Sequence, residues 1–283
     1  MYYLYLFGSL LTSTFSRNAC YLFAQFVSIM HYYLSKKDRE TVAYNLSPVI
    51  SEKKKIKKYA QKVFINFAYY LVDFFRYSKL NQDFIKKNIE LEGLENLNKA
   101  LAKCKGVIVL TAHLGNYELA GAVLSLLGYP LSVVALPHKD KRINKFFDRQ
   151  RQRVGVKVIS TGTTIRSCFS ALKSGDLLAL LGDRNFSGAG IKLNMFSRQA
   201  YFPRGIAFFA LKTGAPIIPI FLIRKNRKFY HLVCEKPIIY DKEKRDEVSI
   251  MKKCNLVLEK YIKKYPQQWY MFQRRWVTEE LEA

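Results

Sequence analysis

The chain has 283 residues, of which 49% are hydrophobic and 14% aromatic. This composition excludes a disordered chain and fits one large domain, with or without a helical appendage. Its 47 Lys and Arg residues against 22 Asp and Glu residues give a formal net charge of +25, which favours anionic partners such as nucleic acid, anionic lipids or acidic carrier proteins. A solvated, lysine-rich surface is the alternative explanation. The five Cys residues form no CxxC pair, which argues against structural zinc.

Two apolar runs, residues 2–11 and 19–34, open the chain, and the polar residues between them include Arg17. Each run is shorter than the roughly 18 to 20 apolar residues that cross a bilayer. These residues show no basic segment followed by a small-residue cleavage site, so we do not expect a signal peptide. We therefore expect a helical hairpin or a helix lying in the membrane interface. A single tilted span and an ordinary buried helix are the alternatives.

A helix is predicted over residues 51–76, with Ser51 as its cap. Apolar and aromatic side chains recur on one face at helical spacing, and the other face carries lysines: Lys53, Lys54, Lys55, Lys57, Lys58 and Lys62. This pattern is typical of helices at a membrane surface, and almost as typical of a plain surface helix. We interpret residues 1–90 as an N-terminal helical membrane-associating region and residues 91–283 as the catalytic domain.

From Gly106 onward, short apolar runs alternate with helical stretches. Strands are predicted at 107–111, 131–136, 156–160, 177–181 and 216–223, and helices at 118–127, 143–154, 164–173 and 204–212. This alternation predicts an α/β fold with a largely parallel central sheet flanked by helices. Further along, 228–234 and 269–272 are predicted strands and 248–264 an amphipathic helix. Sites in such sheets gather at the carboxyl ends of strands, where His113, His138 and Asp183 stand.

The segment from Thr111 to Glu118 follows a strand and opens a helix. If His113 lies in the turn before the helix, Glu118 in the first turns can reach back to it. A neutral imidazole takes the proton of an attacking hydroxyl, and a carboxylate fixes its tautomer. Asn116 can cap the helix, and backbone N–H groups at the helix start can receive an oxyanion. A capping or core histidine is the alternative.

Two further polar groupings stand out. Asp183 and Arg184 directly follow a buried strand, so Asp183 can orient His113 or a substrate hydroxyl, and Arg184 can pair with an anion. An ordinary turn with a surface arginine is the alternative. Residues 139–157 carry eight Lys or Arg residues, among them Arg151, against two acids. A phosphate-bearing acceptor or an acidic carrier protein would be attracted there, unless the face is merely solvated.

Several segments, in order, resemble the bacterial lipid A biosynthesis acyltransferases of the HX4D/E acyltransferase group. They are RETVAYNL (39–46), HLGNYE (113–118), RQRVG (151–155), GDRN (182–185), PRGIAFFALKTGAPIIPIFLIR (203–224) and PQQWYMFQRRW (266–276). Each element is common by itself, so the specificity of the resemblance comes from their co-occurrence along nearly the whole chain.

The resemblance implies transfer of a fatty acyl chain from acyl carrier protein or coenzyme A to a hydroxyl of an anionic glycolipid, such as a lipid A precursor. It implies a location on the cytoplasmic face of the inner membrane, with no metal or cofactor. By analogy His113 is the catalytic base and Glu118 its partner, with Asp183 as a third catalytic residue. Substrate binding is assigned to positions within the matching segments: Asn116, Arg151, Arg184 and Arg204.

Some positions depart from the family pattern, including Leu136-Pro137 where Arg-Pro is typical and Asn194-Met195-Phe196-Ser197 where Phe-Phe-Gly is common. The acceptor is therefore open, and relatives acylate phosphatidylinositol mannosides as well as lipid A. Two other functions compete. A basic nucleic-acid-binding protein fits the charge, although no recognised module is present. A membrane-bound hydrolase would need a GxSxG elbow, which no serine provides.

Overall fold

The computed structural model describes residues 2–103, 105–136, 138–160, 164–185, 190–241 and 243–277. Its N-terminal part is helical, in the order α1 (Tyr2–Thr14), α2 (Arg17–Leu34), α3 (Lys36–Leu46) and α4 (Lys53–Phe75). Helix α2 begins after Ser16 because the Ser16 hydroxyl accepts a hydrogen bond from the backbone N–H of Ala19. The helix predicted at 51–76 is confirmed as α4, with Glu52 rather than Ser51 at its cap position.

The N-terminal helix pair, α1 and α2, has one buried and one exposed side. Cys20, Tyr21 and Tyr32 of α2 are buried and pack against α4. The exposed side carries thirteen large apolar residues: Tyr3, Leu4, Leu6, Phe7, Leu10, Phe15, Leu22, Phe23, Phe26, Val27, Met30, Tyr33 and Leu34. None of the described helices combines the length and the hydropathy required to cross a membrane. The membrane association predicted for residues 1–90 stays a prediction.

The remaining elements alternate along the chain, with short 3-10 turns at Tyr77–Lys79 and Pro266–Gln268. They are α5 (Gln82–Asn88), β1 (Ile89–Glu92), α6 (Leu94–Leu101), β2 (Val107–Thr111), α7 (Tyr117–Leu126), β3 (Leu131–Ala135), α8 (Lys141–Arg153), β4 (Lys157–Ser160), α9 (Thr164–Lys173), β5 (Leu177–Leu181), β6 (Gly190–Met195), β7 (Arg198–Pro203), α10 (Gly205–Thr213), β8 (Ile217–Arg224), β9 (Tyr230–Cys234) and α11 (Glu247–Lys264). The five strands and four helices predicted from residue 106 to 223 are confirmed, with ends shifted by at most two residues.

Seven strands form the central sheet, in the order β1-β9-β8-β2-β5-β3-β4. Among the described residues of this sheet, only the β8–β9 pairing is antiparallel, so the predicted α/β fold with a largely parallel sheet is confirmed. The boundary predicted at residue 90 falls within β1, whose Ile89 pairs with Tyr230 of β9. The division into two regions at that point stays a prediction.

The two faces of the sheet bury separate apolar cores, because side chains alternate along each strand. Val107 and Val109 of β2 face one core with Leu119 and Val123 of α7. Ile108 and Leu110 face the other core, which includes residues of α10 and α11. The carboxyl ends of β2, β5 and β3 meet at one edge, between these two layers of helices.

An antiparallel hairpin, β6–β7, was absent from the prediction. Its turn contains Phe196 and Ser197, both at positive φ (51° and 61°). Turns of this kind normally contain Asn or Gly, and that sequence signal is missing here. The hairpin rests on α11, where the Glu259 carboxylate accepts a hydrogen bond from the Phe196 N–H at 2.8 Å.

The strand predicted at 269–272 is wrong. Only Trp269 forms a bridge, to Leu114, and residues 270–272 continue without regular structure. Aromatic content suggested a strand because aromatic residues are enriched in sheets. The backbone of this segment instead bonds the turn that follows β2, as described below.

Candidate active site

His113 and Asp183 lie side by side because of the register between two parallel strands. Strand β2 ends at Thr111 and β5 at Leu181, and these two residues are paired. His113 and Asp183 each follow two residues later, so both emerge at the same level of the sheet edge. The fold therefore places Asp183 beside His113, as the predicted orienting role requires.

The Asp183 carboxylate holds His113 at two points. Its Oδ1 lies 2.9 Å from the imidazole Nδ1, and its Oδ2 accepts a hydrogen bond from the His113 backbone N–H at 3.0 Å. The indole Nε1–H of Trp269 donates to the same Oδ2 at 3.0 Å. A carboxylate only accepts, so Nδ1 carries the proton and the lone pair of the neutral ring is on Nε2.

Asp183 is fully buried, yet it stays ionised. Burial by itself raises the pKa of a carboxyl group. Here the charge and hydrogen bonds of His113, with the Trp269 N–H, outweigh burial and hold the pKa of Asp183 below its ordinary value of 3.8. The arrangement is that of an imidazole held by an ionised carboxylate.

The turn that carries His113 is fixed by backbone hydrogen bonds to the C-terminal segment. The His113 carbonyl accepts from the Tyr270 N–H at 2.7 Å, and the Gly115 N–H donates to the Gln268 carbonyl at 2.9 Å. Gly115 has a φ of +65°, and a Cβ atom there would lie 2.2 Å from the Leu222 carbonyl oxygen. Only glycine fits this close approach.

Several N–H groups around the start of α7 are engaged within the protein. Those of His113, Gly115 and Asn116 donate to Asp183, Gln268 and Leu222 respectively, and that of Leu119 donates to the Asn116 side chain. These four groups are not available to an oxyanion. For Tyr117 and Glu118, the first two residues of α7, the predicted role of the backbone N–H groups stays a prediction.

Glu118, predicted to be the partner of His113, bonds Arg151. Arg151 Nη2 and Nε donate to the two carboxylate oxygens at 2.6 and 3.1 Å, and each side chain is 13% exposed. The orienting position on Nδ1 belongs to Asp183, so the predicted role of Glu118 is corrected. Burial opposes the charge of Arg151, but the charge and hydrogen bonds of Glu118 outweigh it and raise the pKa of Arg151. The pair joins α7 to α8.

A cavity of about 660 Å³ opens at this edge of the sheet. Its polar lining includes His113, Glu118, Arg151, Arg184 and His138. Its apolar part runs back between α7 and the sheet and is lined by Val109, Gly121, Leu124, Leu131, Val133, Val156 and Ala179. From Ala135 back to Leu131, four strand residues of about 3.3 Å each give a depth of roughly 13 Å. The cavity is therefore elongated and apolar, with the histidine at its polar end.

Of the other predicted substrate-binding residues, Arg184 lines the cavity and Asn116 does not. Arg184 lines the cavity, where burial lowers its pKa and the charges of Asp183 and Tyr117 counteract that effect. Asn116 is 1% exposed: its Oδ1 caps α7 through the Leu119 N–H, and its Nδ2 donates to Asp73. That confirms the predicted cap and leaves its amide without access to substrate.

Arg204 is also corrected. It forms a two-point pair with Glu247, at 3.0 and 3.1 Å, on the exposed surface where α10 and α11 begin. The neighbouring Pro203 and Gly205 line the cavity, so the segment 203–205 is adjacent to the site. The Arg204 side chain itself bonds Glu247. Within the described ranges, no group of three or more His, Cys, Asp or Glu side chains could hold a metal ion.

Two side chains that contact the site or the turn carrying it were missed. Trp269 belongs to the PQQW segment, which had been noted only for its resemblance, and no sequence signal pairs its indole with a carboxylate 86 positions away. Asp73 lies within an aromatic run of α4, and a lone acid on an apolar face is costly without partners. The cost of burying an unpartnered acid was therefore the sequence signal that could have identified Asp73.

The chain is similar to known proteins over most of its length. The sequence profile of the bacterial lipid A biosynthesis acyltransferases matches residues 1–278. The chain is 22% identical over 218 residues to a phosphatidylinositol mannoside acyltransferase of Mycolicibacterium smegmatis, covering 76% of this chain and 71% of that one. It is 23% identical to one from Mycobacterium tuberculosis strain CDC 1551 / Oshkosh, covering 77% and 70%.

A third relative is the lipid A biosynthesis palmitoleoyltransferase of Escherichia coli K12, 25% identical over 198 residues, covering 69% of this chain and 63% of that enzyme. The alternative of a nucleic-acid-binding protein finds no support among these relatives. With the profile matching nearly the whole sequence, the chain belongs to the bacterial lipid A biosynthesis acyltransferase family and is an enzyme that transfers acyl groups.

Proposed function

We propose that this enzyme transfers a fatty acyl chain from a thioester donor to a hydroxyl group of an anionic glycolipid at a membrane surface. The observation that carries the proposal is the buried Asp183 carboxylate bonded to Nδ1 of His113, at the polar end of an elongated apolar cavity. A base at the mouth of an apolar channel suits a reaction between a hydroxyl and the carbonyl carbon of a long-chain thioester.

In the reaction, His113 Nε2 takes the proton of the acceptor hydroxyl while the hydroxyl oxygen attacks the thioester carbon. Asp183 stabilises the imidazolium that forms. The tetrahedral intermediate collapses with cleavage of the carbon–sulfur bond, and the departing thiolate takes the proton back from the imidazolium. The products are an ester and a free thiol, and no acyl-enzyme is formed. Arg184, which lines the cavity, supplies positive charge for the oxyanion.

The apolar part of the cavity holds the acyl chain in this proposal, and Gly121 sets its depth. A Cβ atom at Gly121 would lie 3.0 Å from Leu131 Cδ2, so any side chain there enters space that the cavity uses. We expect Gly121→Leu to shift preference toward shorter chains, with about fourfold loss per excluded methylene, the equivalent of ~0.8 kcal/mol.

Competition assays with mixed acyl donors of different length measure that shift. Leu124→Ala enlarges the same cavity from α7, and we expect it to shift preference toward longer chains. An unchanged chain-length profile in both variants would show that the acyl chain does not bind in this part of the cavity.

The donor thioester approaches over α8. This helix lines the cavity with Phe147, Asp148 and Arg151. Its outward face carries exposed basic residues at helical spacing: Lys141, Arg142, Lys145, Arg149 and Arg153. A row of positive charge beside the cavity attracts an acidic carrier protein or the phosphates of coenzyme A.

The N-terminal helix pair docks on the inner membrane, with the catalytic domain on the cytoplasmic face. Its exposed apolar side is flanked by Lys36, Lys37 and Arg39, a combination that fits an anionic lipid surface. We expect Phe23→Ser with Phe26→Ser to reduce sedimentation with vesicles containing phosphatidylglycerol at least tenfold. Leu256→Ser, an equally exposed residue on α11, is the control. Equal binding of all three proteins would exclude docking through this pair.

The names of two relatives, a phosphatidylinositol mannoside acyltransferase and a lipid A biosynthesis palmitoleoyltransferase, support a glycolipid acceptor, with phosphatidylinositol mannosides and lipid A precursors as the candidates. The test is an assay with the purified protein, labelled acyl carrier protein or acyl coenzyme A, and each of these lipids. We expect an acylated lipid, detected by mass spectrometry, with the wild type and none with His113→Ala. His31→Ala, an exposed histidine on α2, is the control. Undiminished product from His113→Ala would refute the proposed mechanism.

A further inference from the structure

A second buried carboxylate, Asp73 of α4, lies at the centre of a polar cluster outside the cavity lining. It is 4% exposed. Tyr21 of α2 and Tyr230 of β9 donate their hydroxyls to it, and Arg224 of β8 pairs with it. Asn116, in the turn before α7, donates at 2.9 Å. One carboxylate thereby joins elements from four parts of the fold.

The cluster is held together by charge. Arg224 is 7% exposed, and Arg17 of α2 lies 3.5 Å from the second Asp73 oxygen, so the buried anion has two cationic partners. Burial raises the pKa of Tyr21 to about 12, so its hydroxyl stays protonated and donates. Water does not replace a donor that such a buried cluster loses, so each lost donor leaves part of the Asp73 charge without a partner. The cluster therefore favours a single arrangement of its side chains.

Two routes lead from this cluster to the turn that carries His113. The first is Asn116 itself, whose Oδ1 also caps α7. The second runs through Arg224, whose backbone N–H and carbonyl pair with the Gln268 side-chain amide at 3.0 and 2.9 Å. The Gln268 carbonyl in turn accepts from the Gly115 N–H. Asn116 is thus bonded to Asp73 directly, and Gly115 is linked to it through Gln268 and Arg224.

We propose that Asp73 is a positioning residue, which fixes the His113 turn through Asn116 and Arg224 and ties that turn to α2 of the N-terminal helix pair. The inference rests on the proposed function, because it concerns how His113 is aimed. Displacement of a catalytic group by 1 Å can lower a rate by about 10²-fold. Asp73 therefore contributes to kcat without contacting substrate.

Asn116 allows the positioning role to be separated from the capping role. Serine caps a helix about as well as asparagine, but it has no N–H₂ group to donate to Asp73. We expect Asn116→Ser to keep the helix cap while its kcat falls about ten- to a hundredfold with KM changed less than twofold, and its thermal midpoint to fall only by the loss of the one hydrogen bond to Asp73. Asn116→Ala should show the same kcat and a lower thermal midpoint.

The outcome decides between the two roles. If Asn116→Ser restores wild-type kcat and only Asn116→Ala is impaired, Asn116 acts as a cap alone and the proposal is wrong. If His113→Ala keeps its activity, the proposed function fails, and that result is independent of the Asn116 variants. If His113→Ala is inactive and Asn116→Ser is fully active, only the positioning role fails.

A second variant applies if Asn116→Ser does not fold. Tyr21→Phe removes one donor to Asp73 and leaves α7 and its cap unchanged. We expect a kcat at least threefold lower than that of Tyr240→Phe, which deletes a tyrosine hydroxyl bonded to the Ala210 and Ala215 carbonyls, away from the cluster. Equal kcat values for the two tyrosine variants would overturn the proposal.

Discussion

Replacing Asp183 with Asn is expected to lower kcat on the order of 10³- to 10⁴-fold while the protein stays folded. The asparagine keeps one carbonyl oxygen for the N–H groups of His113 and Trp269. Its amide nitrogen donates to the imidazole Nδ1, where the carboxylate now accepts. The ring proton then moves to Nε2, which can no longer take a proton from the acceptor hydroxyl. Steady-state acyl transfer with a saturating donor measures the change.

Asp176 provides a matched control at the opposite end of β5. It is also a buried aspartate, and it accepts hydrogen bonds from Ser132 and Lys157, both at 3.0 Å. Asp176→Asn should keep kcat within about twofold of wild type, because β5 separates it from the reacting atoms. An Asp183→Asn enzyme with more than a tenth of wild-type kcat would show that the tautomer is set by another group.

The same carboxylate predicts a dependence of stability on pH. The pKa of Asp183 is lower in the folded protein than its ordinary value of 3.8. Its contribution to stability is therefore complete above pH 3.8 and is lost as the pH falls through the depressed pKa. Urea unfolding between pH 7 and pH 3 should show a smaller acid-side loss of stability for Asp183→Asn than for wild type.

The second large effect is expected from Arg151→Met. Removing this arginine leaves the Glu118 carboxylate, 13% exposed, without its two hydrogen bonds. Breaking a buried ion pair on one side typically costs about 3–5 kcal/mol. For a domain of this size, 1 kcal/mol corresponds to roughly 2–4 °C in the thermal midpoint, so a decrease of about 10 °C is expected. Scanning fluorimetry measures the midpoint.

The double variant Arg151→Met with Glu118→Gln tests the cause of that loss. Without a charge left behind, most of the stability should return, whereas activity stays low because α7 and α8 are no longer joined across the cavity. Arg204→Met is the surface comparison: its pair with Glu247 has the same two-point geometry, but Arg204 is 55% exposed. An unchanged midpoint is expected there. A similar decrease in both single variants would contradict the argument from burial.

The strands and helices of the α/β region could be predicted because buried parallel strands read as short apolar runs. His113 and Asp183 could be placed at strand ends for the same reason. Which carboxylate steadies the histidine could not be predicted, since Glu118 is close in sequence and Asp183 is 70 positions away. The choice depends on β2 and β5 being neighbours, and the order of strands in a sheet is not visible in the apolar pattern.

Other features depend on long-range contacts in the same way. The β6–β7 hairpin has a turn of Phe196 and Ser197 at positive φ, and its stability comes from packing on α11 rather than from turn residues. The segment in which Trp269 bonds Asp183 is also held by the Asn45 amide, far away in sequence, which donates to the Met271 and Gln273 carbonyls. Local sequence patterns do not reveal partners that are distant in sequence.

The residues that fix the turn carrying His113 follow every strand of the central sheet in chain order. Tyr270 N–H, the Gln268 carbonyl and the Trp269 indole all bond groups within or beside the 113–116 turn. A nascent chain that has not yet reached residue 268 lacks these three bonds, even if the sheet has already formed around β2 and β5. The conformation of the His113 turn is therefore completed only after all seven strands of the central sheet have been synthesised.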